Sequence, residues 1–314
     1  MQNLLFSLNA VAPIFVIVLF GAWLKHRNII NENFASVSTK IVFMAALPAL
    51  IFKNISEADF KSVVNIKLIV FAVLSTLVLF ALLCIFVPLF IANRQTAGAF
   101  IQGVFRSNYA VIGLPLVFNL FGQTGFAKGS VMMAFIMPFY NILAVALLVS
   151  TSPKADAVGK KEIFAGIFKN PLILSTLAAL PFSYFRLPLP EVAAKTIDYL
   201  AAVCVPLALL GIGSFISFEG VKKNLSLSIS ASILRTAATP AVFTFLAYSL
   251  GFRGEELGAV YMLFASPTAV SSFIMAKAMD SDFGLAAQIV LMTTLFSVFT
   301  IFAGVFILKT IAAI

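Results

Sequence analysis

The stretch FRSNYAVIGLP, from Phe105 to Pro115, puts a charge, an amide and a helix breaker inside a long apolar run. Its proline removes one i→i−4 hydrogen bond and clashes with the preceding turn. A second stretch, FASPTAVSSFI from Phe264 to Ile274, has the same character. Broken backbone at membrane depth is tolerated only where it faces protein or a watery cavity. The two stretches therefore predict a polar site inside a membrane-spanning chain.

Composition supports a membrane protein. Hydrophobic residues make up 61% of the chain, charged residues make up 11%, and the mean hydropathy is +1.08. A soluble domain usually has a charged fraction near one quarter. The net charge of +9 comes from Lys and Arg in short links between apolar runs. These cations are expected to face lipid headgroups in the bilayer rather than nucleic acid.

Ten apolar runs are long enough to cross a bilayer as helices, and their continuous apolar character excludes a β-barrel. The first run is expected to remain as a span, because its positive charges follow the apolar stretch instead of preceding it. The fold predicted is therefore all-α and integral to the membrane. The predicted spans are Leu4–Leu24, Phe34–Ile55, Leu68–Ile91, Ala97–Phe121, Gly129–Ser150, Ile163–Tyr184, Thr196–Phe218, Leu225–Leu250, Leu257–Met279 and Phe283–Leu308.

The two halves of the chain resemble each other. At a shift of 158, Pro13 falls on Pro171 and Pro48 falls on Pro206, and FRSNYAV overlays FASPTAV at a shift of 159. Matches in order at a nearly constant offset indicate an internal repeat. The predicted units are residues 1–150 and 163–314, joined by a polar link at 151–162. Five spans per unit is an odd number, so the second unit must be inverted, as in many secondary transporters.

The distribution of Lys and Arg favours one orientation. They are more numerous in the links that face the cytoplasm if the N-terminus is outside. Both termini are therefore predicted to be periplasmic, with the 151–162 link in the cytoplasm.

The two broken spans, the fourth and the ninth, are expected to cross near the bilayer midplane. The N-termini of their second halves would carry unpaired N–H groups and partial positive charge, which suits a small organic anion. A lone proline often only kinks a helix, and Ser or Thr hydroxyls can hydrogen-bond to the backbone of their own helix without any function. Two broken spans at matching positions of the repeat nevertheless favour a binding site. The candidate substrate-binding residues are Arg106, Ser107, Asn108, Gly113, Pro115, Ser266, Pro267, Thr268, Ser271 and Ser272.

Two arginines lie within apolar runs, and each has either a role at the binding site or a structural role. Arg106 either faces the site or snorkels to the interface from the end of its span. Arg235, in the eighth span, either acts at the site or has a structural partner such as Asp198. Lys277 is expected to close the ninth span at the membrane interface.

At these residues the sequence resembles the auxin efflux carrier family. RSNYAVIGLPLVFNLFG is similar to that family's fourth-span signature, and SPTAVSSFIMAKAMD is similar to its ninth-span segment. The resemblance covers essentially the whole chain. It implies ten helices whose broken fourth and ninth members flank the substrate, with Asn108, Pro115 and Pro267 at the crossover. It further implies elevator-like movement of a transport part against a scaffold part, and substrates such as malate, malonate or auxin-like weak acids.

The sequence also departs from the plant members of that family. Ser272 stands where they have a second proline, and the central link is short. These features favour a bacterial inner-membrane protein, and an indole substrate is not assumed.

Other classes of function are less consistent with the residues. The one histidine, His26, lies in a link, and no phosphate-binding loop is present, so an enzyme is not expected. A sodium-coupled symporter of the bile-acid type is the alternative, but Asp198, Asp280 and Asp282 lie away from mid-span, where oxygen ligands would be needed. A channel conflicts with the internal repeat. No cofactor or metal is expected, and the oligomeric state is left open, with a homodimer as one option.

Overall fold

The computed structural model describes residues 16–17, 19–56, 65–152, 171–215 and 224–314. Within these ranges the regular structure is helical, and the one extended pairing is an isolated β-bridge. Residues 19–26 are helical as well. The remaining helices are α1 Glu32–Ile41, α2 Leu47–Ser56, α3 Ile66–Phe90, α4 Arg94–Phe105, α5 Leu114–Thr151, α6 Pro171–Phe185, α7 Glu191–Phe215, α8 Leu225–Ile233, α9 Thr239–Ser249, α10 Gly254–Ala265, α11 Ser271–Ala278 and α12 Phe283–Thr310. The predicted all-α class is confirmed for the described residues.

Five helical segments among the described residues are long and apolar enough to cross a membrane. They are Ile66–Phe90, Thr124–Thr151, Glu191–Gly211, Leu225–Ser249 and Phe283–Thr310. Large apolar side chains on these segments face outward, including Phe90 at 85% exposure, Val192 at 79% and Phe299 at 71%. Such surface needs lipid around it, so the chain is a multi-pass membrane protein.

Some predicted features lie outside the described residues. Most of the first span, Leu4–Leu24, and the beginning of the sixth span, Ile163–Tyr184, belong to this part of the chain. So does nearly all of the central link at 151–162, together with Pro13. The fourth and ninth spans are described, and each is interrupted once. The fourth comprises α4 and the first part of α5, which kinks at Gly122 before the fifth span, and the ninth comprises α10 and α11.

Three π-helical turns each precede a helix whose second residue is proline. In each turn the residue before the proline donates its N–H to the carbonyl five positions earlier, as Leu114 does to Tyr109. A proline ring clashes with the carbonyl four residues before it, and the wider turn relieves that clash. The turns are Val42–Ala46, Tyr109–Gly113 and Leu234–Ala238, followed by Pro48, Pro115 and Pro240.

Helices in the first half have counterparts of equal length in the second half. Arg94–Phe105 and Gly254–Ala265 have 12 residues each, and Gly254 lies 160 positions after Arg94. The other matched pairs begin 159 positions apart. They are Ile66–Phe90 with Leu225–Ser249, at 25 residues each, and Thr124–Thr151 with Phe283–Thr310, at 28 residues each.

The described helices pack as two groups. Residues 19–26, α1, α2, α6 and α7 form what we call the flanking group, in which α2 packs along α6 and α7. The other helices, α3 to α5 and α8 to α12, form the crossover group. Contacts within each group are extensive, whereas contacts between the groups are sparse. The helix at residues 19–26 approaches α7 closely at Gly21, which faces the backbone of Leu210.

Polar contacts tie the first turns of α4 and α10 to residues just beyond the second half of the other broken span. The Thr96 hydroxyl donates to the Asp282 carboxylate at 3.0 Å. At the other end, Glu255 accepts from the Thr124 hydroxyl and pairs with Lys128 at 2.9 Å. Hydrogen bonds from Thr124 and Lys128 lower the pKa of Glu255 from its usual value. The fourth and ninth spans are thereby bonded to each other at both of their ends.

Replacing Gly21 by alanine should destabilise the protein, because the new Cβ would lie 2.6 Å from the Leu210 carbonyl oxygen. Backbone atoms cannot rotate away, so we expect a loss of about 1–3 kcal/mol, as for other overpacked sites. Gly284→Ala is the matched control, because the nearest atom would lie at 3.6 Å. Thermal unfolding of the purified variants measures both, and an unchanged midpoint for Gly21→Ala would contradict this helix contact.

Candidate functional site

The fourth and ninth spans both lose their helical form at one place, where they meet. Helix α4 ends at Phe105 and α10 ends at Ala265, and the residues after them form an antiparallel bridge between Ser107 and Thr268. The Asn108 N–H donates to the Pro267 carbonyl at 2.8 Å. The chains therefore satisfy part of their broken backbone with each other, as buried backbone requires.

Two hydroxyls in this crossover serve the opposite helix. Ser107 donates through Oγ to the Leu263 carbonyl at 2.6 Å, and Thr268 donates through Oγ1 to the Gly103 carbonyl at 2.5 Å. Those carbonyls belong to the last turns of α10 and α4, which have no partners within their own helices. Each break thus supplies a cap for the other helix.

Arg235 completes the capping of the two helix ends. Its side chain is fully buried, and its guanidinium donates to four carbonyl oxygens at 2.9–3.3 Å. The carbonyls of Val104 and Phe105 end α4, and those of Leu263 and Ser266 end α10. Helix C-termini carry partial negative charge, so a guanidinium between two of them is well placed.

The expectation that Asp198 partners Arg235 is wrong, since the Asp198 carboxylate lies 2.6 Å from the Lys53 ammonium.

Arg106 is buried beside the crossover and does not snorkel to the interface. Only 2% of it is exposed. One terminal nitrogen donates to Asn141 Oδ1 at 2.7 Å, and the other lies 2.6 Å from the Met275 sulfur. Neither partner carries a charge, and no acidic side chain among the described residues pairs with this guanidinium. Arg106 is therefore a buried cation without a counter-charge in the described part of the chain.

A cavity of about 50 Å³ lies between the flanking group and the crossover group. One water needs about 10–15 Å³ by this measure, so the cavity has room for only a small ligand. The flanking group contributes apolar side chains, and the crossover group contributes most of the polar ones. The lining residues are Leu47, Leu50, Ile51, Arg106, Ser107, Asn108, Ala110, Met137, Cys204, Ala269, Val270, Ser271 and Ile274.

Arg106, Ser107, Asn108 and Ser271 are the members of the predicted site that line this cavity. Asn108 has no side-chain hydrogen bond within the described residues. Its amide is therefore available to a ligand.

The other predicted residues build the crossover around the cavity. Pro267 and Thr268 form hydrogen bonds to the fourth span. Ser266 packs against Gly113, where an added Cβ would lie 2.5 Å from the Ser266 hydroxyl. The Ser272 hydroxyl is buried without a partner in the described part of the chain.

Two details of the predicted site need correction. The break in the fourth span lies at 106–108, upstream of Pro115, because the π-helical turn Tyr109–Gly113 carries the helix through to that proline. Helix α11 offers fewer free N–H groups than expected, because those of Ser272 and Phe273 donate to Ala269 and Val270. Positive charge at the cavity therefore comes chiefly from Arg106.

Two residues that the sequence reasoning missed hold Arg106 in place. Asn141 lies in the fifth span within an apolar run, where an amide could have been recognised as a polar residue in need of a partner. Met275 gives no such signal, because a methionine in an apolar helix is normally a packing residue.

The chain is similar to known membrane transport proteins along nearly its whole length. A family model described as "Membrane transport protein" matches residues 6–164 and 158–303. An uncharacterized transporter of Methanocaldococcus jannaschii is 24% identical over an alignment 311 positions long, which covers 94% of this chain and 96% of that protein. A putative malonate transporter of Rhizobium meliloti is 28% identical over an alignment 310 positions long, which covers 96% of this chain and 95% of that protein.

Replacing Arg235 by methionine should cost about 3–5 kcal/mol of stability, because it leaves carbonyls of two helix ends without their donor. Arg253→Met is a matched control, since Arg253 also donates to two carbonyls but is exposed. The thermal midpoint and the monodisperse yield after purification measure the effect. An Arg235→Met protein as stable as the control would contradict the capping role.

Proposed function

Because the chain belongs to the membrane transport protein family, we propose that it is a secondary transporter for a small organic carboxylate, bound at the crossover cavity. The resemblance drawn from the fourth-span and ninth-span motifs is confirmed by this membership. The observation that carries the proposal is the buried charge of Arg106 at the cavity.

An unpaired charge inside a protein is costly, and the cost falls when an anion completes its hydrogen bonds. A guanidinium has five donors in a fixed fork, and a carboxylate matches two of them at once. Arg106 uses its two terminal nitrogens on Asn141 and the Met275 sulfur. The thioether is a weak acceptor, so a carboxylate entering the cavity would replace it with a much stronger partner.

The size of the cavity favours short substrates. Malonate is among the smallest dicarboxylates, and a putative malonate transporter is similar to this chain along nearly its whole length. One malonate carboxylate would pair with Arg106. The Asn108 amide and the Ser271 hydroxyl would supply neutral hydrogen bonds to the rest of the molecule. A larger auxin-like acid would require a wider cavity than the structure has.

The architecture proposed for transport is an inverted repeat of five helices in each half, at residues 1–150 and 163–314, with link 151–162 in the cytoplasm and both termini periplasmic. Equal helix lengths at offsets of 159 and 160 support the repeat. The crossover group is the moving part and the flanking group is the scaffold of an elevator-like mechanism in a bacterial inner membrane. Sparse contacts between the groups, with the cavity at their boundary, support this division.

Sodium coupling through the crossover is disfavoured by Arg235. Carbonyls at the C-terminal ends of broken helices are the groups that bind Na⁺ in many transporters. Here the carbonyls of Val104, Phe105, Leu263 and Ser266 already accept from one guanidinium. A fixed cation therefore occupies the position where a coupling cation would sit.

Replacing Arg106 by glutamine should weaken malonate binding by about 2–5 kcal/mol, the usual cost of removing one partner of a buried charge pair. Calorimetry on monodisperse protein measures the affinity, and uptake into proteoliposomes measures transport. Arg27→Gln, an exposed arginine far along the sequence from the site, should behave like the parent protein. Full malonate affinity in a folded Arg106→Gln variant would show that the carboxylate binds elsewhere.

Malonate uptake should be the same with an inward Na⁺ gradient as with an inward choline gradient, because Arg235 supplies the cation at the crossover. Proteoliposomes loaded with potassium buffer and given labelled malonate make the comparison directly. Uptake that needs the Na⁺ gradient would instead favour the bile-acid type of symport.

A further inference from the structure

A second and much larger cavity lies away from the crossover. It is a groove of about 640 Å³ between α9, α10 and α12, within the size range of small-molecule sites. Its walls are mainly apolar, and several side chains beside it, such as Phe245 at 69% exposure, face outward where the bilayer lies. The groove therefore opens toward lipid rather than toward water.

The inner wall of the groove is shaped by Tyr261. Its hydroxyl donates to the Thr300 carbonyl at 2.8 Å and lies against Gly304, where a Cβ would overlap it. Glycine at this position lets the tyrosine lie flat against α12 and leaves the space beyond it open. Such a smooth apolar channel is suited to a hydrocarbon chain.

One end of the groove carries two cations. The Arg253 guanidinium stacks 3.5 Å over the ring of Tyr248, a groove residue. Lys309 lies on the last turn of α12, next to the groove residue Leu308, and it is exposed without a hydrogen bond or ion pair within the described ranges. A hydrogen bond from the Gly254 N–H to the Ala313 carbonyl, at 2.8 Å, holds the two segments together at this end.

Two carboxylates lie nearby; Glu255 already has a cationic partner, and Glu256 alone does not balance both Arg253 and Lys309. Glu255 is engaged by Thr124 and Lys128, and Glu256 accepts from the Asn65 amide at 2.6 Å. The end of the groove thus keeps a net positive charge beside an apolar channel. An anionic headgroup attached to an acyl chain complements both features.

We propose that this groove binds an anionic phospholipid, with one acyl chain along α9, α10 and α12 and its phosphate at Arg253 and Lys309. Thr236, which lines the groove, directly follows Arg235, the residue that caps both broken helices. The lipid would therefore pack against the helix that holds the crossover together.

Native mass spectrometry of the full chain, titrated with dioleoyl phosphatidylglycerol or dioleoyl phosphatidylcholine, tests the proposal. The parent protein should retain one phosphatidylglycerol in preference to phosphatidylcholine. The double variant Arg253→Gln, Lys309→Gln should lower that preference by at least about fivefold, the effect of one basic residue near anionic lipid. Lys195→Gln, which removes an exposed cation of the flanking group, should leave it unchanged.

A second variant tests the channel separately. Ala303→Trp places a large side chain in the groove from an exposed position, and it should reduce the retention of both lipids. Equal retention of the two lipids by the parent protein would overturn the proposal, as would an unchanged preference in the double variant. Displacement of the lipid by glycerol phosphate at the same concentration would show a site for the free anion only, and would also overturn it.

Discussion

Backbone carbonyls buried inside a membrane protein must be hydrogen-bonded, and two helices that end at the same point leave several of them exposed together. In this protein the demand is met across the crossover. Ser107 serves the end of α10, Thr268 serves the end of α4, and Arg235 serves both. Each break is therefore stabilised by donors from another segment of the chain. The crossing of the two spans follows from this mutual dependence.

The two buried arginines have different roles because their partners differ. Arg235 is surrounded by carbonyl oxygens that together disperse its charge, so it has little need of an anion. Arg106 has one amide oxygen and one sulfur. A charge that is incompletely solvated by the protein is a natural site for a carboxylate, and its place on the cavity wall gives the carboxylate access.

Sequence patterns predicted the helical class and the two broken spans, because apolar run length and mid-run polar residues are direct consequences of the bilayer. They did not locate the break in the fourth span. Pro115 suggested a break at its own position, whereas the chain leaves the helix at 106–108 and resumes through a π-helical turn. The reason is that the break is stabilised by Arg235 and Leu263, which are distant in sequence. The same limit applies to the partners of Arg106, since Met275 carries no sign of its contact with a guanidinium.

A substrate carboxylate is expected to complete the hydrogen bonding of Arg106. An experimental structure with bound malonate tests it most directly. We expect a carboxylate oxygen within about 2.7–2.9 Å of an Arg106 nitrogen, the range for charged pairs, with the Met275 sulfur displaced from it. Malonate bound elsewhere, with Arg106 still bonded to Asn141 and Met275, would contradict this role of Arg106.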